Sequence, residues 1–158
     1  MKILHIDSSI MGDASVSRQL SAEIVQQLQQ KHGDAAQVQH LDLAVQQIPH
    51  LSSEILMGQN AEQSALGEQL LQQYLDADVV VVGAAMYNFG LPSTLKAWID
   101  RISVAGRTFK YTEQGPVGLA GDKKVYIASS RGGVYGDNSP VDYQEGLLKA
   151  VFNFTGVS

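Results

Sequence analysis

Cysteine is missing from all 158 residues. That excludes structural disulfides, thiolate metal sites and a cysteine nucleophile, and with the last any cysteine-dependent phosphatase. It also fits a reducing cytosol, so a cytoplasmic location is expected. Basic charge is scarce: Lys and Arg number 11 against 16 Asp and Glu, for a formal net charge of −5. No cation cluster could track a phosphate backbone, so nucleic acid is not an expected partner. No apolar run is long enough to span a bilayer, so no membrane partner is expected. The opening MKILHIDSS has a short apolar run interrupted by His5 and Asp7, and reads as a strand, not a signal peptide. His5, His32, His40 and His50 are scattered without metal-ligand spacing, so no metal is expected. There is no GxxxxGK[ST] loop, no GxGxxG fingerprint and no GxSxG elbow.

What remains is an ordinary globular composition, 44% hydrophobic, in a length that suits one domain over 1–158 with a real core. The stretch that organises it is VVVVGAAMYNFGLPSTLKAWIDR, Val79 to Arg101. Four consecutive valines predict a strand buried on both faces, as in a parallel sheet covered by helices. Gly83, Ala84 and Ala85 are small enough for a flat ligand or another backbone to come close. Met86 to Gly90 leaves the strand as a loop. Pro92 and Ser93 open a helix with Leu95, Ile99 and Ile102 on one face.

Around this stretch the chain alternates strand and helix. Strands are expected at Lys2–Asp7, Val38–Leu43, Val79–Ala84 and Val125–Ser129. Helices are expected from near Ser17 to Gly33 with Leu20, Ile24 and Leu28 on a common face, and over Ala65–Asp76 with Leu66, Leu70, Leu71 and Tyr74 inward. Two more are expected from Pro92 and over about Asp142–Phe154. Residues 51–60 suit a short helix at most. Gly106–Gly118, carrying Phe109 and Tyr111, reads as a long excursion of the functional or disordered kind. The order βαβαβαβα implies right-handed crossovers and a doubly wound α/β fold with a parallel sheet. The sequence stops at Phe154–Ser158, where a fifth strand would begin, so the fold is expected to lack its last strand and helix, or to complete its edge with a partner.

Three loops should meet at the carboxyl ends of strands one, three and four, where open α/β sheets bind ligands. The first holds Ser8, Ser9, Ser15 and Ser17 before a helix N-terminus, a position suited to phosphate. The second holds Met86, Tyr87, Asn88 and Phe89, able to pack beside a flat ring. The third, Ser130-Arg131-Gly132-Gly133, lets the backbone approach a ligand edge. Each alone has a plain structural explanation: Ser17 as a helix cap, a core aromatic pair, a glycine turn with a solvated arginine. Together they suit a phosphorylated planar cofactor. Asp7 stands alone after strand one, and Asp100 and Arg101 read as helix surface or a local pair.

SSI followed by SVSRQL, then AMYNFGLPSTLKAWIDR, GRTFKYTEQGPVGL and SSRGG, in that order over essentially all of the chain, resembles the FMN-dependent NADH azoreductases. These are flavodoxin-like quinone and azo-compound reductases, and MYNF and TFKYTEQGPVGL are the specific blocks. The resemblance implies FMN held by Ser9, Ser15, Val16, Ser17, Met86, Tyr87, Asn88, Phe89, Ser130, Arg131, Gly132 and Gly133. It implies a homodimer in which Phe109 and Tyr111 of one subunit cover substrate at the other subunit's flavin. NADH would give up two electrons, and a quinone or azo compound would take them in a ping-pong cycle, with no side chain as obligatory acid or base. Family members continue through another strand and helix. The rival within the same fold is a non-catalytic flavodoxin-type electron carrier. A signalling receiver domain would need clustered acids after strand one and an aspartate ending strand three, and neither is present.

Overall fold

All seven residues of the valine-rich strand are buried. The computed structural model describes residues 1–136 and 139–157, so the chain's end at Ser158 lies outside the described residues. The elements are β1 (Lys2–Asp7), α1 (Val16–His32), β2 (Gln37–Asp42), α2 (Ser53–Leu56), α3 (Ala61–Asp76) and β3 (Val79–Ala85). There follow α4 (Ser93–Ile102), β4 (Phe109–Thr112), β5 (Gly115–Gly118), β6 (Lys124–Ser130) and α5 (Tyr143–Phe154). Four strands form a parallel sheet in the order β2-β1-β3-β6. The expected doubly wound architecture is present, with β3 central.

The side-chain alternation of the strands sorts the core into two layers. Leu4, Ile6, Val80, Val82 and Ala84 face α3, α4 and α5, where they meet Leu70, Tyr74, Leu95, Trp98, Leu148 and Phe152. Ile3, Val79 and Val81 face α1 and meet Val25, with Ile24 and Leu28 at the margin. Both faces are covered, which is why β3 is apolar at every position and not at every second one. Each fully buried aliphatic side chain contributes about 1.5–3 kcal/mol. The Tyr74 hydroxyl, at the centre of the larger layer, lies 2.7 Å from Thr155 Oγ1, and its ring meets Trp98 edge-on at 5.8 Å.

Helix α1 starts at Val16, as expected near Ser17. It is capped by Ser15, whose side chain accepts from the Arg18 N–H, and not by Ser17. Its buried residues are Ser17, Ser21 and Val25, while Leu20 is exposed. The cause is Gly83. A Cβ there would stand 2.7 Å from Asp7 Oδ1 and 3.2 Å from the Ser17 carbonyl oxygen. Small residues let α1 settle onto the sheet, so what approaches Gly83 closely is the helix and Asp7, not a flat ligand.

The excursion after α4 is neither an open loop nor disordered. It is an antiparallel hairpin, β4 with β5, pairing Tyr111 with Pro116. Phe109 turns inward against Phe154, centroids 4.3 Å apart, and anchors the hairpin to α5. Arg101, expected on the helix surface, is buried and donates to the Gln63 carbonyl, while Asp100 pairs with Lys96. The outer edge of β6 carries no strand among the described residues. No helix among them is long and apolar enough to cross a membrane.

Candidate functional site

The parallel register brings the three loops together. Ala85 ends β3 beside Ser130, the end of β6, and Asp7 ends β1 beside Gly83. The loops that follow are tied directly. The Tyr87 hydroxyl lies 3.2 Å from Ser9 Oγ and accepts from the Ile10 N–H at 3.2 Å, which joins the first loop to the second. The Met86 N–H donates to the Ser130 carbonyl at 2.8 Å, which joins the second to the third. The twelve residues expected to hold a cofactor therefore lie in three loops and the adjoining ends of α1 and β6, at one end of the sheet.

In the first loop the hydroxyls of Ser15 and Ser17 are buried and lie 3.1 Å apart, so that one donates to the other and one O–H remains to donate elsewhere. What the start of α1 leaves open is its first-turn peptide N–H groups, Val16 and Ser17 among them, which no helical carbonyl can reach. These N–H groups and the helix dipole suit a phosphate. The loop's shape depends on a residue that the sequence reading passed over. Arg18 donates to the Ser9 carbonyl from Nε (3.1 Å) and Nη2 (2.8 Å). It is itself held by Asp42, at 2.7 and 2.6 Å. The hydrogen bonds from Arg18 keep the Asp42 carboxyl below the usual carboxylate range. Only the position of Arg18 one turn into α1 hinted at this, since its partner lies 24 residues away.

The second loop is a two-residue turn. Tyr87 and Gly90 exchange both backbone hydrogen bonds at 3.1 Å. Between them Asn88 (φ 49°) and Phe89 (φ 69°) are both left-handed. Asn tolerates that region, but an aromatic residue there is strained by about 1–2 kcal/mol. The ring of Phe89 is nevertheless 54% exposed, while its backbone is held by the carbonyl accepting from the Tyr143 N–H at 3.1 Å. Strain of this kind at a ligand-facing turn is a mark of function.

In the third loop the Arg131 side chain is taken up by partners on β6 and α5. Its Nε donates to Asp142 Oδ2 at 2.6 Å and its Nη1 to Ser129 Oγ at 3.0 Å. Burial raises the Asp142 pKa, but the Glu145 N–H and Arg131 outweigh it and leave the carboxyl below its ordinary value. Arg131 thus fixes the loop to the start of α5. A Cβ at Gly132 would meet no protein atom within 4 Å.

Peptide donors at a helix start, an exposed aromatic on a strained turn and a clear glycine edge fit FMN, a phosphate joined to a flat ring. A separate groove between β2 and α3, lined by Gln37, Gln39, Gln69 and Gln72, lies toward the amino ends of the strands and shares none of these features. Phe109 and Tyr111, expected over the substrate, are not part of this cluster. Their hairpin joins the end of α4 to the start of β6, and Gly118 abuts Gly156 just past α5, at the opposite end of the strands. Tyr111 is 74% exposed there.

The chain resembles known proteins along its whole length. A family model described as the flavodoxin-like fold matches residues 1–158. An FMN-dependent NADH:quinone oxidoreductase of Stenotrophomonas maltophilia is 58% identical over 158 residues, covering 100% of this chain and 80% of that protein. FMN-dependent NADH:quinone oxidoreductase 2 of Pseudomonas aeruginosa is 51% identical over 168 residues, covering 100% and 83%. Among solved structures, an FMN-dependent NADH-azoreductase from Bacillus anthracis in complex with FMN superposes with a TM-score of 0.87 at 27% identity, over 99% of this chain and 82% of that one.

Proposed function

This chain belongs to the flavodoxin-like family of FMN-dependent NADH:quinone oxidoreductases, and on that footing we propose that it passes two electrons from NADH to quinones and aromatic azo compounds. The observation that carries the reading is the meeting of the three loops, tied through Tyr87 and Met86, at the carboxyl end of the sheet. Bound there, FMN would supply the redox chemistry, taking a hydride from NADH and delivering both electrons to the acceptor.

The chain's own residues bind and orient. The start of α1, with Ser9, Ser15, Val16 and Ser17, takes the phosphate. Met86, Tyr87, Asn88 and Phe89 flank the ring. The Ser130–Gly133 backbone borders its edge, with Arg131 acting through its hold on α5. No side chain serves as obligatory acid or base. Tyr111 reaches a substrate only at another copy's site, because its hairpin lies at the far end of its own strands. We therefore read the active species as a homodimer, with Phe109 as the buried anchor of the arm and Tyr111 as its contact. A cytoplasmic location suits the NADH donor.

The test is direct. Protein purified with FMN is mixed with NADH, and flavin absorbance is followed before and after a quinone is added. Bleaching by NADH and recovery with the quinone are expected. Flavin binding without bleaching would favour the electron carrier.

A further inference from the structure

The four histidines are scattered in sequence, yet the fold brings two of them onto one carboxylate. Parallel pairing sets His5 on β1 directly beside His40 on β2. Asp7 follows His5 by two residues and so shares its face of the strand. The imidazoles stack with centroids 4.6 Å apart. His40 Nε2 lies 2.9 Å and His5 Nε2 3.5 Å from the same oxygen, Asp7 Oδ2. The other oxygen, Oδ1, accepts from Ser21 Oγ at 2.8 Å. Burial raises the Asp7 pKa, but hydrogen bonds from His5, Ser21 and His40 outweigh it and hold the carboxyl at about 2.

We propose that His5, Asp7 and His40 form a site for a divalent late first-row cation, of which Zn²⁺ is the type. Two imidazoles and a carboxylate are the donor set such ions take. Ligands about 2.0–2.1 Å from a tetrahedral ion stand roughly 3.4 Å apart, near the 3.5 Å from His5 and wider than the 2.9 Å from His40, which would draw back as the ion replaces its hydrogen bond. The three donor atoms lie within 4.8 Å of one another, so a small ring movement completes the set. Ser21 Oγ also lies 2.9 Å from His5 Nε2; the ion would take that nitrogen from it, leaving the bond to Asp7 Oδ1 as the outer hydrogen bond. His5 and Asp7 are buried, while the His40 side chain is 49% exposed, so the ion has a path from solvent and water can fill its fourth position. The Arg18 guanidinium stands 3.8 Å from Asp7 Oδ2, but its charge is matched by Asp42. The ion would tie the outer strand β2 to β1 immediately below Ser8 and Ser9. The site owes nothing to the flavin reading, since none of its ligands is assigned to FMN.

Tag-free, flavin-loaded protein, stripped with a chelator and dialysed, is titrated with Zn²⁺ alone by calorimetry and with Co²⁺ alone by visible absorption. One ion per chain is expected, with a rise in melting temperature on Zn²⁺ and the visible bands of four-coordinate Co²⁺. His40→Ala, at a half-exposed side chain, should weaken Zn²⁺ binding tenfold or more and remove the thermal shift, while circular dichroism and flavin content stay unchanged. His32→Ala and His50→Ala, at exposed positions elsewhere, should change nothing. Absence of stoichiometric binding, equal binding by His40→Ala, or loss of binding in His32→Ala or His50→Ala would each overturn the proposal.

Discussion

Phe89 is the residue where local preference and structure disagree most. A two-residue turn with both centres left-handed favours Asn followed by Gly. Here Asn88 fills the first position and Phe89 the second, at φ 69°. Phe89→Gly should relieve the strain and raise the unfolding free energy by about 1 kcal/mol, while FMN affinity falls with the lost ring. Urea titration and flavin titration of the same sample separate the two effects. A loss of stability in the variant would show that the turn stores no strain. Gly132 makes the complementary case. Its missing Cβ leaves space that no protein atom fills within 4 Å. Gly132→Val should therefore melt like the parent as apoprotein and yet fail to retain FMN. Normal flavin content in that variant would place the third loop away from the cofactor.

Two helices hold the loops, and each makes a different demand. Ser15 caps α1 and also touches Ser17. Ser15→Ala with Ser17→Ala should weaken FMN binding by about 1–3 kcal/mol if the loop holds a charged group. Loss of the cap alone costs about 1 kcal/mol of stability, so the apoprotein melt must be read beside the affinity; unchanged affinity would remove the phosphate from this loop. At α5, Asp142 caps the helix through the Gln144 and Glu145 N–H groups and binds Arg131. Its folded pKa is depressed. Its contribution is then complete above the unfolded carboxylate value of about 3.9 and is lost as pH falls through the lower folded value. FMN affinity should be flat near neutrality and drop in acid below about pH 4. Asp142→Asn keeps a capping side chain but loses the charge. The acid-dependent part of the affinity, measured as parent minus variant, should disappear with it, and an identical pH profile in both would dismiss the tie.

For the whole molecule, the arrangement of arm and site makes a kinetic demand. On the proposed reading, one cleft covered by a second copy's Tyr111 would take NADH and the acceptor in turn. Steady-state double-reciprocal plots should be parallel as acceptor is varied at several NADH concentrations, the ping-pong pattern. Intersecting lines would mean that both substrates bind together. The two layers of the core are uneven. The layer under α3, α4 and α5 is deep and anchored by Tyr74 and Trp98, whereas α1 alone covers the other layer. β6 lies at the sheet's margin with Tyr126 38% exposed.

The sequence by itself determined whatever is local or periodic. The valine run identified β3, the alternation of strands and helices gave the parallel order, and the Ser, MYNF and SRGG loops fell where open sheets bind ligands. These signals lie within a few residues of one another, so chain geometry alone expresses them. Tertiary structure decided what depends on distant partners. Helical period put Leu20, Ile24 and Leu28 on one face, but the close approach of α1 at Gly83 buried Ser17 and Ser21, leaving Ile24 and Leu28 at the core's margin and Leu20 exposed. Arg18 gained its role from Asp42 and from a carbonyl nine residues back. Phe109 became an anchor because Phe154 comes to meet it. His5 and His40, 35 positions apart, met on Asp7 because parallel pairing fixes register across a crossover that no local pattern encodes.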